Sequence, residues 1–169
     1  MSSRDYEEFI AALNAHGARY LVVGAHAVAL HARPRATGDL DLLLDPTAAN
    51  ARRVLAALRD FFGGSDLGYS VSDLTDQGWI LQIGVAPVRI DLMPAIPGLN
   101  SFRAAWKNRV DAPFGSVPAR YVGLEDLMAA KMTSGRPQDL ADLRILDRAR
   151  IARGRAGGRR GRRGPAKPT

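Results

Sequence analysis

The segment that most constrains the fold is Asp39–Leu44 (DLDLLL), in which acidic and apolar residues alternate. Successive side chains of a β-strand point to opposite faces, so a strand here places Asp39 and Asp41 on one face and leucines on the other. The leucine face needs a core to cover it. Two neighbouring carboxylates repel each other unless a cation lies between them, and oxygen-only ligands suit Mg²⁺ or Mn²⁺. From this pattern alone, a metal site and a half-exposed strand with two solvated aspartates both remain open.

The segment before this strand has the features of a phosphate-binding turn. An apolar run over residues 19–23 ends at Gly24, and residues 25–32 are predicted to form a short helix. A glycine at a strand-to-helix turn lets backbone N–H groups approach a ligand, and a helix N-terminus favours an anion. Arg33 and Arg35 then flank a proline, and their guanidiniums suit phosphate oxygens. Turn geometry alone also explains the glycine, and solvation or pairing with the nearby aspartates also explains the arginines.

A third aspartate interrupts an apolar strand later in the chain. The apolar residues of segment 88–93 alternate with Arg89 and Asp91, which therefore share one face of a strand. A lone aspartate in such a strand is more often structural. If the strand lies beside Asp39–Leu44, Asp91 becomes the third carboxylate of one site.

Hydrophobic periodicity predicts helices and strands throughout one domain that ends at residue 149. We predict helices over residues 4–16, 25–32, 48–62, 101–107, 124–132 and 138–149, and strands over 19–23, 39–44, 69–71, 78–84, 88–93, 110–115 and 117–121. The 169 residues are 46% hydrophobic, which is enough for one domain with its own core.

The positive charge of the chain belongs to its C-terminal end. Nine of the 24 basic residues lie from Arg148 onward, and all 17 acidic residues lie at or before Asp147. The part before Arg148 thus has 15 basic and 17 acidic residues, a net charge of −2. We predict a disordered Arg/Gly/Pro-rich tail over residues 150–169. Such a tail suits tRNA or another nucleic acid as a partner, because its arginines can neutralise phosphates. A solubilising extension explains the composition equally well, since no aromatic residue that could stack on a base lies among the arginines.

Composition also excludes several classes of chemistry. The absence of cysteine rules out disulfides, thiolate metal sites and a cysteine nucleophile. The first residues are acidic where a signal peptide is basic and then apolar, and no apolar stretch is long enough to span a bilayer. We therefore expect a cytoplasmic protein that does not enter a membrane.

Taken together, these segments resemble a known active-site signature. The shared elements are Gly24-Ala25, His31-Ala32, Arg35-Ala36-Thr37, Asp39-Leu40-Asp41, the strand Val88–Leu92 with Asp91, and Lys131 followed by Arg136-Pro137-Gln138-Asp139 and Asp142-Leu143. They resemble the minimal nucleotidyltransferases of the DNA polymerase β superfamily. They are most similar to the AbiEii-type toxins of type IV toxin–antitoxin systems and related nucleotidyltransferase-like proteins.

The resemblance implies an α+β nucleotidyltransferase (polymerase β-like) fold, in which a small mixed β-sheet is flanked by helices. It also implies transfer of a nucleoside monophosphate from an NTP to an RNA, protein or small-molecule hydroxyl. In that reading Asp39, Asp41 and Asp91 are the catalytic residues and hold Mg²⁺ or Mn²⁺ as cofactor. The residues expected to bind the nucleotide and its phosphates are Gly24, Ala25, Arg35, Thr37 and Lys131.

The same resemblance implies a toxin–antitoxin partner protein, and it leaves an alternative open. Inactive members exist, so the chain is alternatively a binding module for a nucleotide, RNA or a partner protein. Ala25 departs from the family pattern because it stands where a second glycine or a serine is usual. We expect His31 to be structural, and we expect Asp139 and Asp142 to pair with Arg136 or Arg144.

Overall fold

The computed structural model describes residues 3–34, 37–85 and 88–160. The elements, in chain order, are α1 (Ser3–Ala15), β1 (Tyr20–Val22), α2 (Gly24–His31), β2 (Asp39–Leu44), α3 (Ala48–Phe61), β3 (Leu81–Val85), β4 (Val88–Met93), α4 (Phe102–Lys107), β5 (Val110–Phe114), β6 (Val117–Tyr121), α5 (Leu124–Ser134) and α6 (Pro137–Arg160).

The strands form a mixed six-stranded sheet in the order β3-β4-β2-β1-β6-β5. The neighbours β2 and β4 are parallel, as are β1 and β6, whereas the other neighbouring pairs are antiparallel. Helix α1 packs against α3, and α5 packs against α6. The predicted α+β class, with a mixed sheet flanked by helices, is confirmed.

Local sequence patterns explain the central elements. The leucines of β2 that alternate with the aspartates are fully buried, and Leu43 is buried as well, so the last part of the strand is covered on both faces. Helix α1 buries the residues that its 3.6-residue periodicity predicts, Tyr6, Phe9, Ile10 and Leu13. Helix α3 begins at a cap, because the Thr47 side chain accepts a hydrogen bond from the N–H of Asn50.

Two predicted strands differ from the structure. Residues 69–71 form no strand: Tyr69 and Ser70 have no regular structure and a turn begins at Val71, because Ser70 and Thr75 hydrogen-bond to side chains and carbonyls within the same segment. Such local bonds compete with a strand ladder. Strand β3 begins at Leu81 rather than residue 78, since the N–H of Trp79 still closes a turn onto Asp76.

The final helix is longer than predicted. It was expected to end at Ala149, before a disordered tail, but α6 continues to Arg160. The extension is anchored by Arg150, which pairs with Asp147 at 2.6 Å, and by Arg153, which donates to the His31 carbonyl at 2.7 Å. Residues 161–169 of the predicted tail lie outside the described residues. None of the described helices is both long enough and apolar enough to cross a membrane.

Candidate active site

The register between β2 and β4 brings the three predicted carboxylates together. Asp41 is the direct partner of Asp91, and Asp39 is the direct partner of Arg89. Neighbouring strands lie about 4.8 Å apart, so side chains at paired positions on one face are in contact range. The strand that carries Asp91 therefore lies beside Asp39–Leu44, which was the condition for Asp91 to join the site.

Gly24 closes one side of this cluster. It begins α2 with φ of +60°, and a Cβ added there would lie 1.9 Å from Oδ2 of Asp41. The preceding residue is tied to the same strand, because the N–H of Val23 donates to the carbonyl of Asp41 at 3.0 Å. Only glycine provides both this backbone conformation and the space that the carboxylate occupies.

The surroundings of Asp41 disfavour its charge. Burial raises the pKa of Asp41 above its usual value, and the neighbouring carboxylates of Asp91 and Asp39 raise it further. Lys131 and Arg89 oppose this rise without cancelling it. A carboxylate in this situation is stabilised by an additional cation close by.

Arg89 is the residue of this site that the sequence did not predict as functional. Its Nε lies 2.7 Å from Oδ1 of Asp91, and its Nη2 lies 3.1 Å from Oδ2 of Asp91 and 3.3 Å from Oδ2 of Asp39. The available signal was its position two residues before Asp91, which places both side chains on one face. The guanidinium thus bridges the two outer carboxylates of the cluster.

The donor chemistry of the cluster fits a hard divalent cation. Its potential ligands are all carboxylate oxygens, and Oδ1 of Asp39 is buried without a hydrogen-bond partner in the described part of the chain. Mg²⁺ and Mn²⁺ prefer such oxygens. Within residues 3–34, 37–85 and 88–160, no three acidic or histidine side chains already stand in metal-binding geometry. Asp39 and Asp91 contact Arg89 in this arrangement.

A cavity of about 510 Å³ opens next to these groups. Gly24, Asp41 and Asp91 line it together with Lys131 and Arg136. An apolar wall is formed by Ile80, Met93, Ile96, Pro97, Leu99 and Leu127. This volume and this mixture of apolar surface with a few polar groups are typical of small-molecule sites.

Lys131 reaches the cavity as part of a buried ionic network. Its Nζ lies 2.6 Å from Oδ1 of Asp139 and 2.8 Å from Oδ2 of Asp142, and both aspartates are buried. Asp139 also accepts hydrogen bonds from Ser134 at 2.6 Å and from Arg136 at 2.7 Å. The predicted Arg136–Asp139 pair is confirmed, whereas the pairing of Lys131 with two carboxylates was not predicted.

The other predicted residues occupy supporting positions. Thr37 exchanges hydrogen bonds with the backbone of Asp39, at 3.3 and 3.4 Å, directly before β2. Ala25 is buried in the first turn of α2. His31 is buried with Nε2 at 2.7 Å from the Val122 carbonyl, as expected of a structural residue. Arg35 lies outside the described residues.

Tyr6 and His26 support the site, a role that the sequence did not predict, although helical periodicity predicted Tyr6 as a buried residue of α1. The Tyr6 hydroxyl donates to the carbonyls of Gly38 and Arg89, so α1 holds the starts of β2 and β4 together. The His26 ring packs against the rings of Tyr6 and Phe114, and burial lowers its pKa. Both contacts join distant segments, which leaves no periodic signal in the sequence.

Comparison with known families finds a match over most of the chain. The model of a family described as "Nucleotidyltransferase of unknown function (DUF6036)" matches residues 4–147. This range contains the whole sheet, the carboxylate cluster and the cavity lining. A comparison with curated proteins found no match.

Replacing Gly24 by alanine tests the close approach to Asp41. We expect Gly24→Ala to lower the free energy of unfolding by at least about 1 kcal/mol more than Gly63→Ala. Both glycines have positive φ, 60° and 65°, but nothing lies within 4 Å of a Cβ at Gly63. The matched control therefore carries the backbone strain alone. If denaturant titrations give equal losses of unfolding free energy for the two variants, the position of the Asp41 carboxylate does not require a glycine at residue 24.

The buried network predicts a specific pH dependence of stability. Burial alone would raise the pKa of Asp139, but hydrogen bonds from Lys131, Ser134 and Arg136 outweigh it and lower the pKa to about 2. An unfolded aspartate titrates near pH 4, so this stabilisation is complete above about pH 4 and fades as the pH falls towards 2.

Asp139→Asn is therefore expected to cost at least about 2 kcal/mol at neutral pH, and the cost should shrink below about pH 4. Denaturant unfolding from pH 6 downward measures this difference. Asp147→Asn, at a half-exposed position on the same helix, is the control. A wild-type advantage over Asp139→Asn that stays constant across this pH range would contradict the assignment.

Proposed function

Since the chain belongs to this family of nucleotidyltransferases of unknown function, we propose that it transfers a nucleoside monophosphate from an NTP to a hydroxyl group. The observation that carries the proposal is the convergence of Asp39, Asp41 and Asp91 on one sheet face, beside the Gly24 turn and the cavity. In this proposal Mg²⁺ or Mn²⁺ binds to the three carboxylates.

Each part of the cavity has a role in this reaction. A bound divalent cation supplies charge neutralisation of the triphosphate and activation of the acceptor hydroxyl. Asp39 and Asp41 would hold the cation through their carboxylate oxygens. Asp91 would be its third carboxylate ligand and would take the proton of the attacking hydroxyl. The apolar wall, with Met93 and Ile96, suits the base of the nucleotide.

The first turn of α2 is proposed to bind the phosphates. Val23, at the cap position, makes no side-chain hydrogen bond to this turn. Among the described residues, no loop or turn carbonyl accepts a hydrogen bond from the N–H of Gly24 or Ala25, so both can donate to phosphate oxygens, with the helix dipole behind them. Lys131 lines the same cavity, and its two aspartates hold it in place. Arg35 and Thr37 complete the proposed phosphate-binding set.

The acceptor in this proposal is a hydroxyl of RNA, protein or a small molecule. The resemblance to AbiEii-type toxins supports a place in a toxin–antitoxin system with a partner protein. The alternative is a catalytically inactive module that binds a nucleotide, RNA or a partner protein through the same cavity.

Label transfer separates the enzyme from the binding module. We expect the protein with Mg²⁺ to move label from one α-labelled NTP to a component of cell RNA, protein or a small-molecule panel and to release pyrophosphate. Asp41→Asn should lower the rate by about a thousandfold, because it removes a charge from the reacting centre. Asp60→Asn, at an exposed position on α3, should match the wild type. Nucleotide binding without pyrophosphate release across the panel would favour the module.

We also propose a nucleic-acid partner, on the basis of an arginine face on α6. Arg144, Arg148 and Arg155 are exposed, and spacings of four and seven residues place them on one side of the helix. Within the described residues, none of the three makes an ion pair. Regularly spaced free arginines on one helix suit the phosphates of a nucleic-acid backbone, and the basic residues that follow in the chain extend the same charge.

Salt-dependent binding tests this face. Replacing Arg144, Arg148 and Arg155 together by glutamine should weaken binding to tRNA or duplex DNA at low salt. The slope of log affinity against log salt should become shallower by about two to three, or about one unit for each phosphate that an arginine no longer neutralises. The control replaces Arg52, Arg103 and Lys107, three exposed basic residues elsewhere, by glutamine. Equal behaviour of the two triple variants would exclude the α6 face and leave the segment after Arg155 as the binding element.

A further inference from the structure

The guanidinium of Arg89 lies next to the carboxylates that would bind the divalent cation of the proposed function. Arg89 lies on β4 directly opposite Asp39 and two residues before Asp91, so its side chain projects between the two acidic positions. Its Nε and Nη2 contact both oxygens of Asp91, and Nη2 also lies 3.3 Å from Asp39. Within the described ranges it is the cation in direct contact with this cluster.

The contacts of Arg89 and those of a divalent ion exclude each other in part. Nη2 of Arg89 donates a hydrogen bond to Oδ2 of Asp91 and so takes a lone pair that a metal would use. Nε lies close to Oδ1 of Asp91, but that buried oxygen has no hydrogen-bond partner among the described residues. Its positive charge also repels a second cation held by the same carboxylates. Asp39 shows the same division within one side chain, because Oδ2 faces Arg89 while the buried Oδ1 has no hydrogen-bond partner among the described residues.

We propose that Arg89 is an internal counter-cation, which neutralises Asp39 and Asp91 in the metal-free protein and which a divalent cation displaces when it binds these carboxylates. The inference rests on the proposed function for the presence of that cation. Arg89 is then a positioning residue that keeps the acidic cluster folded before metal and nucleotide arrive. Its release also frees a guanidinium at the edge of the cavity.

Mn²⁺ binding and thermal unfolding, measured without nucleotide, test this role. Arg89→Gln should raise the Mn²⁺ affinity by about tenfold or more, because the competing charge is gone. Without metal its melting temperature should fall, since the carboxylates then repel each other without compensation, and saturating Mn²⁺ should remove most of that difference. Arg109→Gln is the matched control, because Arg109 has a similar exposure and pairs with Asp111 away from the cavity.

Arg89→Lys separates the charge of Arg89 from its forked geometry. Lysine keeps the positive charge but not the two-pronged contact, so its Mn²⁺ affinity should stay within about threefold of the wild type. This variant also keeps the proposal testable if Arg89→Gln fails to fold, because loss of Mn²⁺ binding in Arg89→Lys would show that Arg89 supports the ligands through its geometry.

The outcomes distinguish this inference from the proposed function. If the wild type binds Mn²⁺ and Arg89→Gln binds it equally or more weakly, the counter-cation role is overturned while the metal-dependent function stands. If neither protein binds Mn²⁺ in the absence of nucleotide, the counter-cation role is overturned, while label transfer from an NTP decides the proposed function separately. Tighter binding by Arg89→Gln, with metal-dependent recovery of its stability, supports the inference.

Discussion

The site depends on the balance between three neighbouring carboxylates and the cations that face them. Asp39, Asp41 and Asp91 are side by side because β2 and β4 are parallel neighbours in a single register. Carboxylates this close cannot all stay charged without a counter-ion. Arg89 supplies one positive charge from the same face. A divalent cation, as proposed, carries two charges and accepts oxygens from several directions, so it satisfies the cluster more fully.

On the helical side of the cavity, charges are also balanced, but here a cation lies between two carboxylates. Lys131 is held between two buried aspartates of α6, and Arg136 shares one of them. Because its charge is neutralised within the network, Lys131 contributes a fixed position more than a free charge. The unbalanced charge of the cavity therefore lies at the sheet, around Asp41, where burial already disfavours it. A cation and a phosphate arriving together suit such a cavity better than either alone.

Patterns confined to one segment were predictable. The alternation in β2 and the 3.6-residue periodicity of α1 fixed their buried faces, and the two β2 aspartates followed from the same alternation. Asp91 was predicted as a candidate because an acidic residue is unusual in an apolar strand. The short strand over residues 69–71 was wrong because side chains in that segment bond locally to the backbone, a competition that hydrophobic pattern does not register.

The sequence by itself determined which residues have the right chemistry: oxygen ligands on one strand face, a glycine at the turn before α2, and a third acid on a later strand. Tertiary structure alone decided how they meet. Strand register paired Asp41 with Asp91 and brought Arg89 into the cluster, and the packing of α5 against α6 gave Lys131 its aspartates. Both depend on contacts between segments far apart in the chain. Local periodicity specifies the face on which a side chain lies, but it does not specify which side chains of other strands and helices lie beside it.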